Sequence, residues 1–146
     1  NLVGATVADG HVAFAGYRLP LPEAVPPAVA GDVILGLRPH DLEDAEFARA
    51  ALPTIEVTPS IVERLGSETH VLFRIEAPPV DVESVRAASD DGERAMLLAA
   101  DARAVFTAVV DEASVPESGQ SMRLAVDTSR LHFFDPHTAE RLDTAA

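Results

Sequence analysis

The stretch LVGATVADGHVAFAG, Leu2 to Gly16, decides the fold class. Two strand-like runs, Leu2–Val7 and His11–Gly16, flank Ala8-Asp9-Gly10. Asp-Gly between apolar runs is a strong hairpin signal. A type I′ turn needs positive φ at both central residues, and glycine accepts it without steric cost. The chain therefore opens as an antiparallel hairpin, and the β pattern spreads outward from it. Tyr17–Leu21 reads as an edge segment, because Pro20 has no amide hydrogen to give to a central ladder. The proline-rich Pro22–Asp32 is a loop. The next strand, from Asp32, runs to Arg38 and stops at Pro39.

Beyond Pro39 the reading changes. His40–Leu52 is expected to hold a short helix near residues 41–50, with Asp41 or Asp44 as N-cap and Pro53 closing it. Thr54–Gly66 reads as one long strand with a bulge or break at Pro59. Thr69–Ala77 alternates Val71, Phe73 and Ile75 with Leu72, Arg74 and Glu76. The loop Leu65-Gly66-Ser67-Glu68 has hairpin length. For Ala77–Val105 two readings stand, a helix over 84–104 or a loop followed by strands, and periodicity does not separate them. Phe106–Ser114, Gln120–Ser129 and Arg130–Asp135 return to β. Short strands joined by Gly and Pro turns predict a mainly all-β chain, a small barrel or paired barrels whose closure hides strand edges. The expected core includes Val33, Ile34, Leu35, Val57, Val62, Val71, Phe73, Val109, Leu124, Val126 and Phe133.

Composition narrows the chemistry. The 146 residues suit one domain. There is no Cys, which excludes disulfides, thiolate metal sites and a Cys nucleophile. Every basic residue is Arg, and the net charge is −13. A field of that sign repels phosphate backbones and anionic lipid, so neither nucleic acid nor a membrane surface is an expected partner. No apolar run approaches the ~20 residues that span a bilayer, and residues 1–16 lack the basic start of a signal peptide.

Catalytic motifs are missing. Without Lys there is no phosphate-binding P-loop, and neither G-x-S-x-G nor H-E-x-x-H occurs. The five histidines, His11, His40, His70, His132 and His137, show no paired spacing of a metal-ligand set. Glu43/Asp44, Asp90/Asp91 and Asp111/Glu112 could serve as acid–base pairs. In so acidic a chain they are better explained as solvated faces and turn caps. Arg38 stands at a strand end, where it could hold a carboxylate of a ligand or of the protein itself. An internal pair that pins the loop is the favoured reading.

Three segments then line up in order. VILGLRPHDL, Val33–Leu42, resembles a G-[IV]-R-P-E-x-L pattern. VERLGSETHVLFRI, Val62–Ile75, resembles VE-x-LG-x-E-T-x-V. GQSMRLAVDTSRLHFFDPHTAERL, Gly119–Leu142, resembles a closing pattern around H-[LF]-F-D-x-x-T-G. All three resemble the C-terminal region of carbohydrate-importer ABC ATPases of the maltose-transporter type. The resemblance implies OB-like β-barrel units, the transport-associated OB domain, that follow an ATPase domain absent from this chain. It implies one regulatory domain over residues 1–146 with a short helix or helical insertion; the Pro78–Ala104 segment is longer than typical of the pattern and is read as an insertion at 78–104. It implies contact with a second copy in the ATPase dimer and, through the missing domain, with permease subunits. In some members regulatory proteins or small effectors bind. ATP and Mg would belong to the missing domain, leaving no cofactor and no catalysis here. The location implied is cytoplasmic, peripheral to the inner membrane.

On this resemblance Gly36, Arg38, Pro39 and His40, with Gly66, Glu68 and Thr69, form motifs at a barrel rim. His132, Phe133, Phe134 and Asp135 form the closing strand and turn. Two positions depart from the pattern: His40 stands where Glu is usual, and Ala139 where Gly is common. The alternative function is a small-ligand or oxyanion-sensing OB module, with Arg38 and backbone amides at a dimer seam. An independent hydrolase would require a deep pocket with two facing carboxylates.

Overall fold

The computed structural model describes residues 1–48, 51–80 and 103–142. The opening hairpin forms as expected. β1 (Leu2–Ala8) and β2 (His11–Phe14) pair antiparallel, with Ala8 opposite His11. Asp9 and Gly10 take φ of 53° and 71°, the two positive values of a type I′ turn. A second turn of that kind, Ala15-Gly16, leads into β3 (Tyr17–Pro20). β3 lies at a sheet edge, which accommodates Pro20. The loop that follows carries the chain past β2 to β4 (Gly31–Gly36), which pairs with the other side of β1. The closing strand β11 (His132–Phe134) pairs with β4, giving the order β11-β4-β1-β2-β3.

The helix predicted near residues 41–50 is not formed over the described residues 41–48. Pro39–Asp41 makes one 3-10 turn, and Leu42–Asp44 is a short strand, β5. Neither Asp41 nor Asp44 caps a helix. β5 pairs with β10 (Met122–Val126), and Leu42 is completely buried. A ladder and a buried Leu outweigh weak helix propensity, because helix stability in proteins comes mainly from packing an apolar face. Here that face is missing: Phe47, one turn on, is 48% exposed.

The single strand expected over Thr54–Gly66 is two. β6 (Thr54–Val57) joins β10, while β7 (Pro59–Leu65) pairs with β8 (Glu68–Arg74) in another sheet. Thr58 is the hinge between them, and the β7–β8 register slips between Pro59 and Ile61, at the expected irregularity. β9 (Val105–Asp111) completes the order β7-β8-β9. The possible helix over 84–104 and most of the proposed insertion at 78–104 lie outside the described residues.

The three small antiparallel sheets make the chain nearly all β, consistent with OB-like units. Their inward faces share one core, built from residues such as Val3, Leu35, Leu42, Ile55, Phe73, Phe106, Leu124 and Phe133. Two expected core residues are corrected. Val62 and Val109 are only half-buried. In β9 the inward positions are Phe106, Ala108 and Val110, so Val109 falls on the outer face by the period-two rule. Val62 shares its face with the buried Val71 but lies on the edge strand, where nothing among the described residues closes over it as a neighbouring strand would.

Candidate functional site

Two of the motif segments meet at one rim. β4 delivers Leu37 into the core and turns outward at Arg38, whose carbonyl accepts from the Asp41 amide at 3.0 Å. Pro39 begins the 3-10 turn that carries His40, and the turn packs on β9. Opposite it, Gly66, with φ of 71°, makes the tight β7–β8 turn and sets Glu68 at the start of β8. Thr69, the next residue, points inward and is 3% exposed.

At this rim His40 Nε2 lies 3.6 Å from Glu68 Oε1, and His70 Nε2 lies 3.5 Å from Glu68 Oε2. Glu68 and His70 share a face because they are two apart on a strand. An open cleft beside them is lined by His40, Glu43, Asp44, Phe47, Ser67, Glu68 and Asp111, with Val109 and Val110. Its charged lining is acidic. Among the described residues no three or more His, Asp or Glu side chains converge as a metal-binding group.

Arg38 departs from the favoured reading. Its side chain is exposed, and it forms no ion pair or side-chain hydrogen bond with a described residue. The loop is held by other groups. Leu37 donates its amide to the Asn1 carbonyl at 2.9 Å. Arg130 holds Asp41 at 3.1 Å, and that hydrogen bond and charge raise the Arg130 guanidinium above its ordinary value. Asn1 also exchanges two side-chain hydrogen bonds of 2.8 Å with the backbone of Thr107, linking the first strand to β9.

The remaining motif residues sit apart from this rim, around β11. Gly36 faces His132 on one side and Leu2 on the other. A Cβ on Gly36 would lie 3.2 Å from the Phe134 ring and 3.4 Å from His132 Cβ, so the residue permits a close three-strand approach. Phe133 is buried opposite Leu35. His132 Nδ1 lies 2.9 Å from Arg141 Nη2. Asp135 closes the following turn by accepting from the amides of His137 (2.7 Å) and Thr138 (2.9 Å). Those bonds favour the ionised form and hold the Asp135 carboxyl below its ordinary range. Ala139 takes φ of 60°, which explains why glycine is common at that place in the resembling pattern.

His70 was not among the residues singled out from the sequence. The usable signal was Glu68-x-His70 on a strand, but its third member, His40, is 30 residues away in sequence (70 − 40) and only the fold brings it near. At the other end of the β6–β7 region, Tyr17 donates its hydroxyl to the Glu56 carbonyl at 2.7 Å. Burial, then the charges of Glu56 and Glu76, raise the Tyr17 phenol above its ordinary value.

Small antiparallel sheets around one core, with a polar rim, define a β-rich domain. Comparison with known proteins gives that class its family. Residues 1–43 match the family model of the CysA C-terminal regulatory domain. The trehalose import ATP-binding protein SugC of Mycobacterium tuberculosis (strain H37Rv) is 34% identical over 116 residues, which are 76% of this chain and 28% of that protein. The sn-glycerol-3-phosphate import ATP-binding protein UgpC of Paracoccus denitrificans is 31% identical over 144 residues, 98% of this chain and 32% of that protein. The trehalose/maltose import ATP-binding protein MalK of Thermococcus litoralis is 39% identical over 85 residues, 51% of this chain and 23% of that protein. The chain thus spans less than a third of the length of each. These matches agree with the three motif segments: the chain matches the C-terminal regulatory domain of ATP-binding subunits of sugar-type ABC importers.

Proposed function

We propose that this chain is a non-catalytic regulatory and dimerisation domain of such an ATP-binding subunit. The observation that carries the reading is the agreement between the regulatory-domain match and relatives that are all importer ATP-binding subunits. On this reading residues 1–146 form one regulatory domain, ATP and Mg are held by a separate domain, and the permease is reached through that domain. The site of action is the cytoplasmic face of the inner membrane. No helix among the described residues is long and apolar enough to cross a membrane. Arg38, Pro39, His40, Gly66, Glu68 and Thr69 shape the rim that meets a second copy or a regulatory protein. Gly36, His132, Phe133 and Asp135 hold the closing strand behind it. The oxyanion-sensing alternative would use Arg38, but the carboxylates of Glu43, Asp44, Glu68 and Asp111 give the neighbouring cleft the wrong sign.

Dimerisation has a direct test. Two bodies of charge −13 repel, and an untethered domain lacks the effective concentration that a linked ATPase pair supplies. Sedimentation velocity should show monomer at micromolar concentration in 0.1 M salt. It should shift toward dimer at 1 M, as the Debye length falls from ~10 to ~3 Å. A monomer at every salt and concentration, and in the chain linked to its ATPase domain, would remove the dimerisation role.

A further inference from the structure

We propose that the two clefts that meet at Phe47 form one groove, which docks an extended basic segment of a partner protein. An apolar side chain of that segment sits on Phe47 and Val115, with Lys or Arg on each side of it. The inference rests on the regulatory reading in taking the occupant to be a partner protein, and it adds that partner's chemistry. The cleft beside Glu68 includes Asp44 and Phe47, and a second cleft shares both residues and is lined further by Val115, Pro116 and Met122. Phe47 is 48% exposed and Val115 64%, so two large apolar side chains in one groove stand in water. Their loops are fixed. Ala45 donates its amide to the Arg123 carbonyl, and Phe47 donates to the Asp44 carbonyl, both at 3.0 Å. The buried Ser114 donates its hydroxyl to Asp44 Oδ2 and its amide to the Asp111 carbonyl. The Ser114 hydroxyl thus ties the loop after β5 to the loop after β9. A groove formed in advance loses less ordering entropy when it is filled.

Charge selects the occupant. Single exposed apolar residues are ordinary on a protein surface. Here two share a groove with carboxylates in both of its arms, an apolar anchor point inside a charged frame. Glu46 and Glu117 line the arm that holds Val115, and Glu43 lines the other. None of these three carboxylates accepts a hydrogen bond from a described residue. The one guanidinium on the described lining is Arg123, directly opposite Glu56 in the β10–β6 ladder. Such a surface repels nucleic acid, anionic lipid and a second copy of a chain whose net charge is −13. It attracts Lys and Arg. The carboxylates are spread along the groove, and among the described residues no three or more His, Asp or Glu converge as a metal-binding group, so one small ion does not match it. The arms hold about 480 and 740 Å³, room for side chains on both sides of a central anchor. The aliphatic stem of a Lys or Arg can lie over Pro116 and Met122 while its charge reaches the carboxylates.

The test measures binding of three pools of short fluorescein-labelled peptides to the 146-residue chain by anisotropy. In the first pool a Leu or Trp is flanked on both sides by Lys and Arg. The second has Gly in place of the apolar residue, and the third has Glu in place of the cations. The first pool should bind at least about 5-fold more tightly than the second, the scale of burying one apolar side chain, and the third should not bind. Phe47→Ser and Glu117→Lys should each weaken the first pool by at least about 5-fold. Glu23→Lys makes the same change of charge on the loop between β3 and β4, outside the groove, and should alter binding by less than about 2-fold. Phe47 and Glu117 are exposed, so Tm should stay within about 2 °C in either variant. Glu117→Lys decides the matter if Phe47→Ser does not fold. No binding of the first pool by the parent chain would overturn the proposal. So would equal binding of the Gly pool, or equal weakening by Glu23→Lys, since bulk charge alone would then be the attraction. Loss of high-salt self-association in Phe47→Ser would also overturn it, making the groove an interface between copies. A failure of these kinds removes the groove and leaves the regulatory reading, which the family match carries and sedimentation tests separately.

Discussion

At the residue scale, Arg38 and Asp135 show how one charged side chain can be ornamental to stability and another built in. Arg38 is exposed and has no side-chain partner among the described residues. Arg38→Ala should therefore change unfolding free energy by less than about 0.5 kcal/mol in denaturant titration. A loss above about 1 kcal/mol would reveal a partner. Asp135 accepts two backbone amides, and its carboxyl is held below the ordinary range. A depressed folded-state value contributes stability above the unfolded value and loses it as pH falls through the folded one. Asp135→Ala should lower Tm at pH 7, and the difference should shrink below about pH 4, the ordinary range of an Asp carboxyl. A pH-independent difference would mean that the turn, not the charge, carries the effect.

At the element scale the hairpins were legible, and the β5 segment was not. Asp9-Gly10 and Gly66 carry their φ requirement in their own chemistry. Leu42–Asp44 does not announce itself as a strand, because its reason is a partner, β10, some 80 residues later. The division of Thr54–Leu65 between two sheets has the same cause. Pro59 signalled an interruption, but not that the two halves would join different partners. Among the described glycines Gly36 is where an added Cβ would meet other atoms within 4 Å, and it faces β1 on one side and β11 on the other. Gly36→Val should cost about 1–3 kcal/mol, because the Phe134 ring at 3.2 Å and the His132 and Leu2 side chains at 3.4 Å must give way. Denaturant midpoints at constant m would check it, and an unchanged midpoint would show that β11 moves freely.

At the scale of the whole molecule, charge and composition decide what the chain does alone. It has no Lys and therefore no P-loop, so calorimetry with Mg-ATP should show no saturable heat. Micromolar affinity would contradict the regulatory reading. The same net charge of −13 opposes close approach of two copies, so the proposed association is expected to strengthen with salt or tethering.

The sequence by itself determined the β class, the turns, the family resemblance and most of the core, because these rest on local chemistry and on alternation within a strand. Val71, Phe73 and Phe133 are buried as that alternation requires. Tertiary structure alone decided which strands pair, that Val109 faces outward while Val110 faces in, and that Arg38 stands free of any described partner. It also brought His40 and His70 to opposite oxygens of Glu68. The physical reason is range. A turn or a strand face is set by residues within a few positions of each other, whereas register and rim contacts are set by surfaces that meet only once the core has closed.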